Sequence, residues 1–315
     1  MYGKYFVLFA IMLTGYVMRK TNFINDAMND GLNKFIVYFA YPCLLVVNIG
    51  ELRMSRDMVF DFILMLVLTC ALFALYALIS HLYSVLRHIP RRVSNVAELS
   101  MSSPNNGFMG FPVALIFFGQ QGLLLMMAHS VALNIYLFSY GLICLRRNNP
   151  QKSGPTFRSV MERVVKIIIN PNLVAVYVGF AVSLLQIPLD NPVGEYLTDI
   201  GNVSTPMAMV FIGSSLVGSK FSEMLKNRIV WGSTIIKLIL LPAITALIVA
   251  FLPIPALMKA SLVLGCCFPA AATVSMLAQQ EKQNEEVASR ILFFTTVLSM
   301  GTIPLSVQLL QMWLF

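Results

Sequence analysis

The chain has 315 residues, of which 58% are hydrophobic and only 11% charged. Soluble domains carry nearer ~25% charged residues, so a soluble globular reading is excluded. The net charge of +8 would suit a nucleic-acid binder, but the basic residues are dispersed between apolar runs, a placement that reports membrane topology instead.

Apolar runs of bilayer-spanning length, ~17–25 residues, recur along the whole sequence. Ten spans are predicted, over 4–19, 31–50, 59–82, 96–119, 122–145, 170–188, 196–218, 229–252, 256–279 and 287–314. Tyr5–Met18 follows Lys4 but no small-residue cleavage site follows it, so it reads as the first span and not as a removed signal. The five cysteines, Cys43, Cys70, Cys144, Cys266 and Cys267, lie in apolar runs without metal-ligand spacing and read as small buried hydrophobes. No metal and no cofactor is expected.

Most of the 22 basic residues fall in the connections after the odd-numbered spans, among them Arg19, Lys20, Arg87, Arg91, Arg92, Arg146, Arg147, Lys220 and Arg228. That side faces the cytoplasm, which puts both termini outside and requires an even number of spans. The protein is expected in the cell membrane. The connection over 146–169 carries Phe157, Val160, Val164 and Ile168 at helical spacing opposite Arg158, Glu162 and Lys166, the pattern of an interfacial amphipathic helix.

The two halves repeat. Gly15 pairs with Gly179 and Pro42 with Pro206 at one offset, and Phe111–Pro112 pairs with Phe268–Pro269 at a slightly shorter one. Five spans per copy, over 1–145 and 170–315, make the second copy inverted. Inverted repeats with matching interrupted helices point to a secondary transporter with its site at the midplane. The interruptions are explicit in "SMSSPNNGFMGFP", Ser100 to Pro112, and in "CCFPAAAT". Irregular backbone survives at membrane depth only where protein or a cavity satisfies it. Span four is expected to be two half-helices joined over Asn105–Gly110, and span nine to break around Cys267–Pro269. Each second half-helix would turn its positive end inward, worth ~0.3–1 kcal/mol to an anion when exposed and up to ~2 when partly buried. The simpler alternative is a proline kink whose asparagines cap the freed carbonyls; the matched second break favours a site.

Here the sequence resembles the auxin efflux carrier family, which includes the plant PIN transporters, PIN-like carriers and many bacterial proteins. "PNNGFMGFPV" fits the family's P-N-x-x-x-x-G-x-P motif through Pro104, Asn105, Gly110 and Pro112. Pro269 falls on the proline of span nine, and Lys237 and Pro242 of "KLILLP" on a basic residue five before a proline. The resemblance implies an all-α polytopic fold like that of the NhaA antiporter and the bile-acid symporters, with helices four and nine broken and crossing. It further implies spans one, two, six and seven as a scaffold, a homodimer through those helices, and spans three to five and eight to ten as a moving transport domain. Asn105, Asn106, Gly107, Gly110, Pro112, Asn134, Pro269 and Ala270 become the expected substrate residues. Two departures from plant members stand out: the missing long central loop points to the shorter, bacterial-like branch, and "RDMVFDF" carries Asp57 and then Asp61 where plant members tend to have lysine, which argues against an auxin-like substrate.

Four further residues are candidates for coupling or gating: Glu98, Asp57, Lys237 and His129. Glu98 sits at the cytoplasmic mouth of span four, where a solvated helix-start acid is the simpler reading. Lys237 costs ~2.5–3.5 kcal/mol at a helix centre, yet lies near enough to the cytoplasmic end of span eight to snorkel. His129 reads first as a packing histidine and second as a proton carrier. Ser130 and Asn134 share one helix face of span five.

The sequence therefore reads as a secondary transporter for a small organic anion, a carboxylate by expectation, working by alternating access and driven by membrane potential or a proton gradient. An inside-negative potential contributes ~2.3 kcal/mol per charge per 100 mV. Partners are the substrate, the bilayer and a second copy, with no nucleic acid. A sodium-coupled anion symporter and a non-transporting ligand sensor are the alternatives. A transmembrane enzyme is not expected, because the three histidines are dispersed and no catalytic set converges. No Walker-type loop supports ATP drive.

Overall fold

The computed structural model describes residues 2–52, 54–147, 161–162, 165, 168–217 and 227–314. The interfacial helix expected around 157–168 lies almost wholly outside those residues. The described chain is helical throughout: α1 Tyr2–Lys20, α2 Asp26–Gly50, α3 Arg56–Leu86, α4 Arg91–Ser102, α5 Asn106–Arg146, α6 Pro171–Leu184, α7 Pro192–Ser215, α8 Arg228–Ala250, α9 Ala256–Cys267, α10 Ala272–Gln280 and α11 Glu285–Leu314. Five of them, α2, α3, α5, α8 and α11, are long and apolar enough to cross a bilayer, and α6 and α9 are shorter apolar helices. The chain is a multi-pass helical membrane protein.

Three of these helices contain a wide five-residue turn directly before an X-Pro pair: 36–40 before Pro42, 106–110 before Pro112 and 236–240 before Pro242. Proline withdraws the N–H that would bond four residues back. The chain compensates by bonding five back, as Tyr41 N–H does to Ile36 C=O and Leu241 N–H to Ile236 C=O. A fourth such turn, 137–141, has no proline.

α5 is 41 residues long, about 60 Å at 1.5 Å per residue and twice the hydrocarbon thickness. It is not continuous. Gly119 has φ +65° and ψ −160°, a conformation open to glycine because it has no Cβ. Next to it Gln120 donates to Glu51 at the exposed end of α2, 2.7 Å away. The kink thus lies level with a helix terminus, at the edge expected between spans four and five.

The chain forms two compact units. The first comprises 1–62, 111–124 and 164–218. Within it α1 and α7 meet backbone to backbone: a Cβ on Gly15 would strike Val210 and one on Gly213 would strike the Met12 carbonyl. Without a hydrophobic drive between helices in lipid, such small residues allow the close approach that dispersion requires. α2 lies against α6 and α7, with Ile49 over Gly179 and Leu44 over Gly201.

The second unit comprises 63–110, 125–163 and 219–315. Its core includes Phe73, Tyr76, Leu99, Met126, Leu264 and Phe294, all buried. Phe73 stacks on Tyr136 with centroids 5.2 Å apart and meets His129 edge-on. Arg146 forms a two-armed ion pair with Glu281.

Candidate functional site

Both sequence-predicted interruptions are present, in the second unit. Ser103 precedes Pro104 and Phe268 precedes Pro269, and both residues are extended, at φ −109°, ψ 109° and φ −68°, ψ 151°. The proline ring forces this by crowding the preceding residue out of the helical region. The first joint is shorter and earlier than the expected Asn105–Gly110. It covers Ser103–Asn105, and Asn106–Gly110 already coils as a wide turn because the Asn105 carbonyl accepts from both Met109 and Gly110 N–H at 3.3 Å. The second joint covers Phe268–Ala271, a little beyond the expected Cys267–Pro269.

The two joints bond to each other. Pro104 and Ala270 form an antiparallel bridge. Asn105 N–H donates to Pro269 C=O at 2.8 Å and Ala271 N–H donates to Ser103 C=O at 2.9 Å. The remaining inward donor, Ala270 N–H, reaches the Thr295 hydroxyl of α11 at 3.1 Å. Each unwound segment thus supplies the partners the other lacks, which is how irregular backbone becomes tolerable away from water.

Around this junction the polar side chains are buried. Asn105 is 5% exposed and Asn106 fully buried. Asn106 Nδ2 donates to His129 Nδ1 at 2.7 Å, which leaves the hydrogen of the neutral ring on Nε2. Neither that Nε2 nor the Asn106 Oδ1 finds a partner among the described residues. His129 is thus tied to Asn106, the residue that follows the first joint. Its ring lies directly on Gly265 of α9, leaving no room for a side chain there. Gly107 is the opposite case, since a Cβ would meet nothing within 4 Å. Gly110 packs on Phe268 and Met126. Pro112 is buried on the helix that follows the wide turn, and Pro269 and Ala270 are in the bridge itself. Asn134 stands apart: it is half-buried on α5 and no side-chain bond joins it to either joint among the described residues.

The four coupling candidates fall in different surroundings. Glu98 is not a solvated helix-start acid. α4 begins at Arg91, so Glu98 lies two turns inside and is 2% exposed. Arg147 holds both its oxygens at 3.0 and 3.1 Å, His81 lies 3.2 Å away, and Arg147 also donates to Asn95. Lys237 does not snorkel: it sits in the wide turn of α8 and is fully buried, with no acceptor for Nζ among the described residues. Its electrostatic neighbours are His129, Cys266 and Cys267. Asp57 is exposed in the first turn of α3.

Several contributors escaped sequence reasoning. Thr295 caps the second joint, and Ser102, the last residue of α4, bonds the Tyr136 hydroxyl at 2.7 Å. A cavity of about 490 Å³ beside Tyr136 runs to Arg147 and His81. A lone arginine in a connection or a threonine in an apolar span carries no signal of such contacts until helices pack.

The chain matches the family model described as membrane transport protein over residues 1–307. It is also 23% identical to an uncharacterized transporter of Methanothermobacter thermautotrophicus, over 94% of this chain and 93% of that one. A second uncharacterized transporter, from Methanocaldococcus jannaschii, is 23% identical over 95% of each chain.

Proposed function

Because the chain belongs to the membrane transport protein family, that of the auxin efflux carriers, we propose that it moves a small organic anion, a carboxylate, across the membrane by alternating access. The observation that carries this reading is the bonded pair of unwound joints, Pro104 against Ala270, with Asn105 and Asn106 buried beside it. Half-helix N-termini at a joint attract negative charge, and amide side chains add donors without a fixed counter-charge. The open space at Gly107 supports a guest on that side. In this reading Asn105, Asn106, Gly107, Gly110, Pro112, Pro269 and Ala270 contact the substrate, Asn134 does so from α5, and Lys237, His129, Glu98 and Asp57 serve coupling or gating.

The ten-span inverted-repeat architecture is part of the proposal. It is supported by interruptions at matched prolines and by the kink at Gly119. A scaffold of spans one, two, six and seven is supported by the unit containing α1, α2, α6 and α7, and a moving domain by the unit containing most of α3, together with α4 and α8 to α11. A homodimer through the scaffold, extracytoplasmic termini and drive by membrane potential or protons complete the reading.

The test is Asn105→Ala in purified protein, screened with mono- and dicarboxylates by scintillation proximity or thermal shift. Binding of at least one carboxylate to the wild type and its loss in the variant, at unchanged folding, is expected. Unchanged affinity in the variant would remove Asn105 from the site, and no anion bound by the wild type would overturn the substrate class.

A further inference from the structure

Away from the joints, a cavity of about 580 Å³ opens where α3 ends and α8 begins, lined by Tyr83, Arg87, Arg228, Trp231, Gly232 and Ile235 with Ile236. Both arginines are exposed, and no carboxylate among the described residues pairs with either. The walls are built: the Tyr83 side chain lies on Gly232, where a Cβ would collide with it, and Phe294 holds the Trp231 indole edge-on at 4.7 Å.

Down α8 the exposed residues Arg228, Trp231, Ile235 and Ile239 recur at spacings that keep them on one face. Exposure rises along the apolar part, from 37% at Trp231 to 49% at Ile235 and 59% at Ile239. The stripe is about 16 Å long at 1.5 Å per residue. It begins with two cations, continues through a phenol and an indole of the kind found at headgroup level, and ends in bare aliphatic surface at bilayer depth. That is the order of phosphate, glycerol ester and acyl chain.

We propose that this groove holds one anionic phospholipid, with its phosphate on Arg87 and Arg228 and an acyl chain laid along Trp231, Ile235 and Ile239. The site lies on the side that the excess of basic residues assigns to the cytoplasm, where anionic lipids attract basic pockets between helices. A soluble anion would use the arginines but leave the aliphatic stripe idle. A zwitterionic phospholipid offers the same phosphate but brings a third cation up to the two arginines, so its net charge compensates neither. The inference concerns the membrane partner and does not depend on the transported substrate.

Native mass spectrometry on the full-length protein, given phosphatidylglycerol or phosphatidylcholine with the same chains, tests it. One phosphatidylglycerol retained in preference to phosphatidylcholine is expected. Arg87→Gln and Arg228→Gln should each lower retention about fivefold and together roughly thirtyfold. Lys20→Gln, a basic residue elsewhere, should not change it. Equal retention of the two lipids by the wild type overturns the proposal even if the variants fail to fold. So does undiminished retention in the double variant, or displacement of the lipid by glycerol phosphate at equal concentration, which would mark a simple anion site.

Discussion

The junction of the two unwound segments depends on one side chain from a third helix. Ala270 is 1% exposed and its N–H has the Thr295 hydroxyl as acceptor at 3.1 Å. Thr295→Val replaces that hydroxyl with a methyl of nearly the same size, so little packing is lost. The second bond of the hydroxyl, to Ile291 C=O at 2.7 Å, is also lost, but that carbonyl keeps its helical partner. What remains is one buried N–H without an acceptor, ~1–3 kcal/mol. Polar contacts between membrane helices often contribute less, ~0.6 kcal/mol, because the groups find other partners. Here rearrangement is blocked, since the flanking Pro269 and Ser103 carbonyls are already bonded across the bridge. Thr295→Val is therefore expected to lower the thermal unfolding midpoint by several degrees, at ~2–4 °C per kcal/mol, and Thr295→Ser to retain it. Equal midpoints for Thr295→Val and the wild type would refute the view that α11 holds the joint.

The Glu98–Arg147 pair should respond asymmetrically. Arg147→Gln leaves a carboxylate whose side chain is 3% exposed with His81 but without its guanidinium, and should approach the ~3–5 kcal/mol of a broken buried pair. Glu98→Gln strands only a guanidinium whose side chain is 37% exposed, which water can solvate, and should cost about 1 kcal/mol; denaturant unfolding of the two variants decides, and a reversed order refutes the burial argument. Gly213→Ala should destabilise the protein by ~1–3 kcal/mol or more, because the new methyl meets the Met12 carbonyl of α1. Gly107→Ala enters open space and should leave the unfolding midpoint unchanged or raise it through helix propensity of ~0.5–1 kcal/mol, while weakening carboxylate binding in the same scintillation assay.

Much of the fold was legible because lipid imposes strong composition rules. Long apolar runs marked α2, α3, α5, α8 and α11, and proline chemistry marked both interruptions through Pro104 and Pro269. The edges were less legible. The first joint sits at Ser103–Asn105 and not Asn105–Gly110 because a wide turn can absorb the strain of Pro112, a choice that hydropathy does not register. Three of the four wide turns could have been suspected from the proline that follows each of them.

What the sequence alone determined is the membrane class, the broken helices and the residues at the breaks, since each follows from local chemistry: side-chain transfer into lipid, and a ring that removes an N–H. What only tertiary structure decided is partnership. The bridge between Pro104 and Ala270, the bond from Asn106 to His129 and the burial of Glu98 against Arg147 all join positions far apart in the chain, and packing also decided that Lys237 is buried. Burial and hydrogen bonding belong to pairs of groups brought together by packing, and no single residue type carries the identity of its partner.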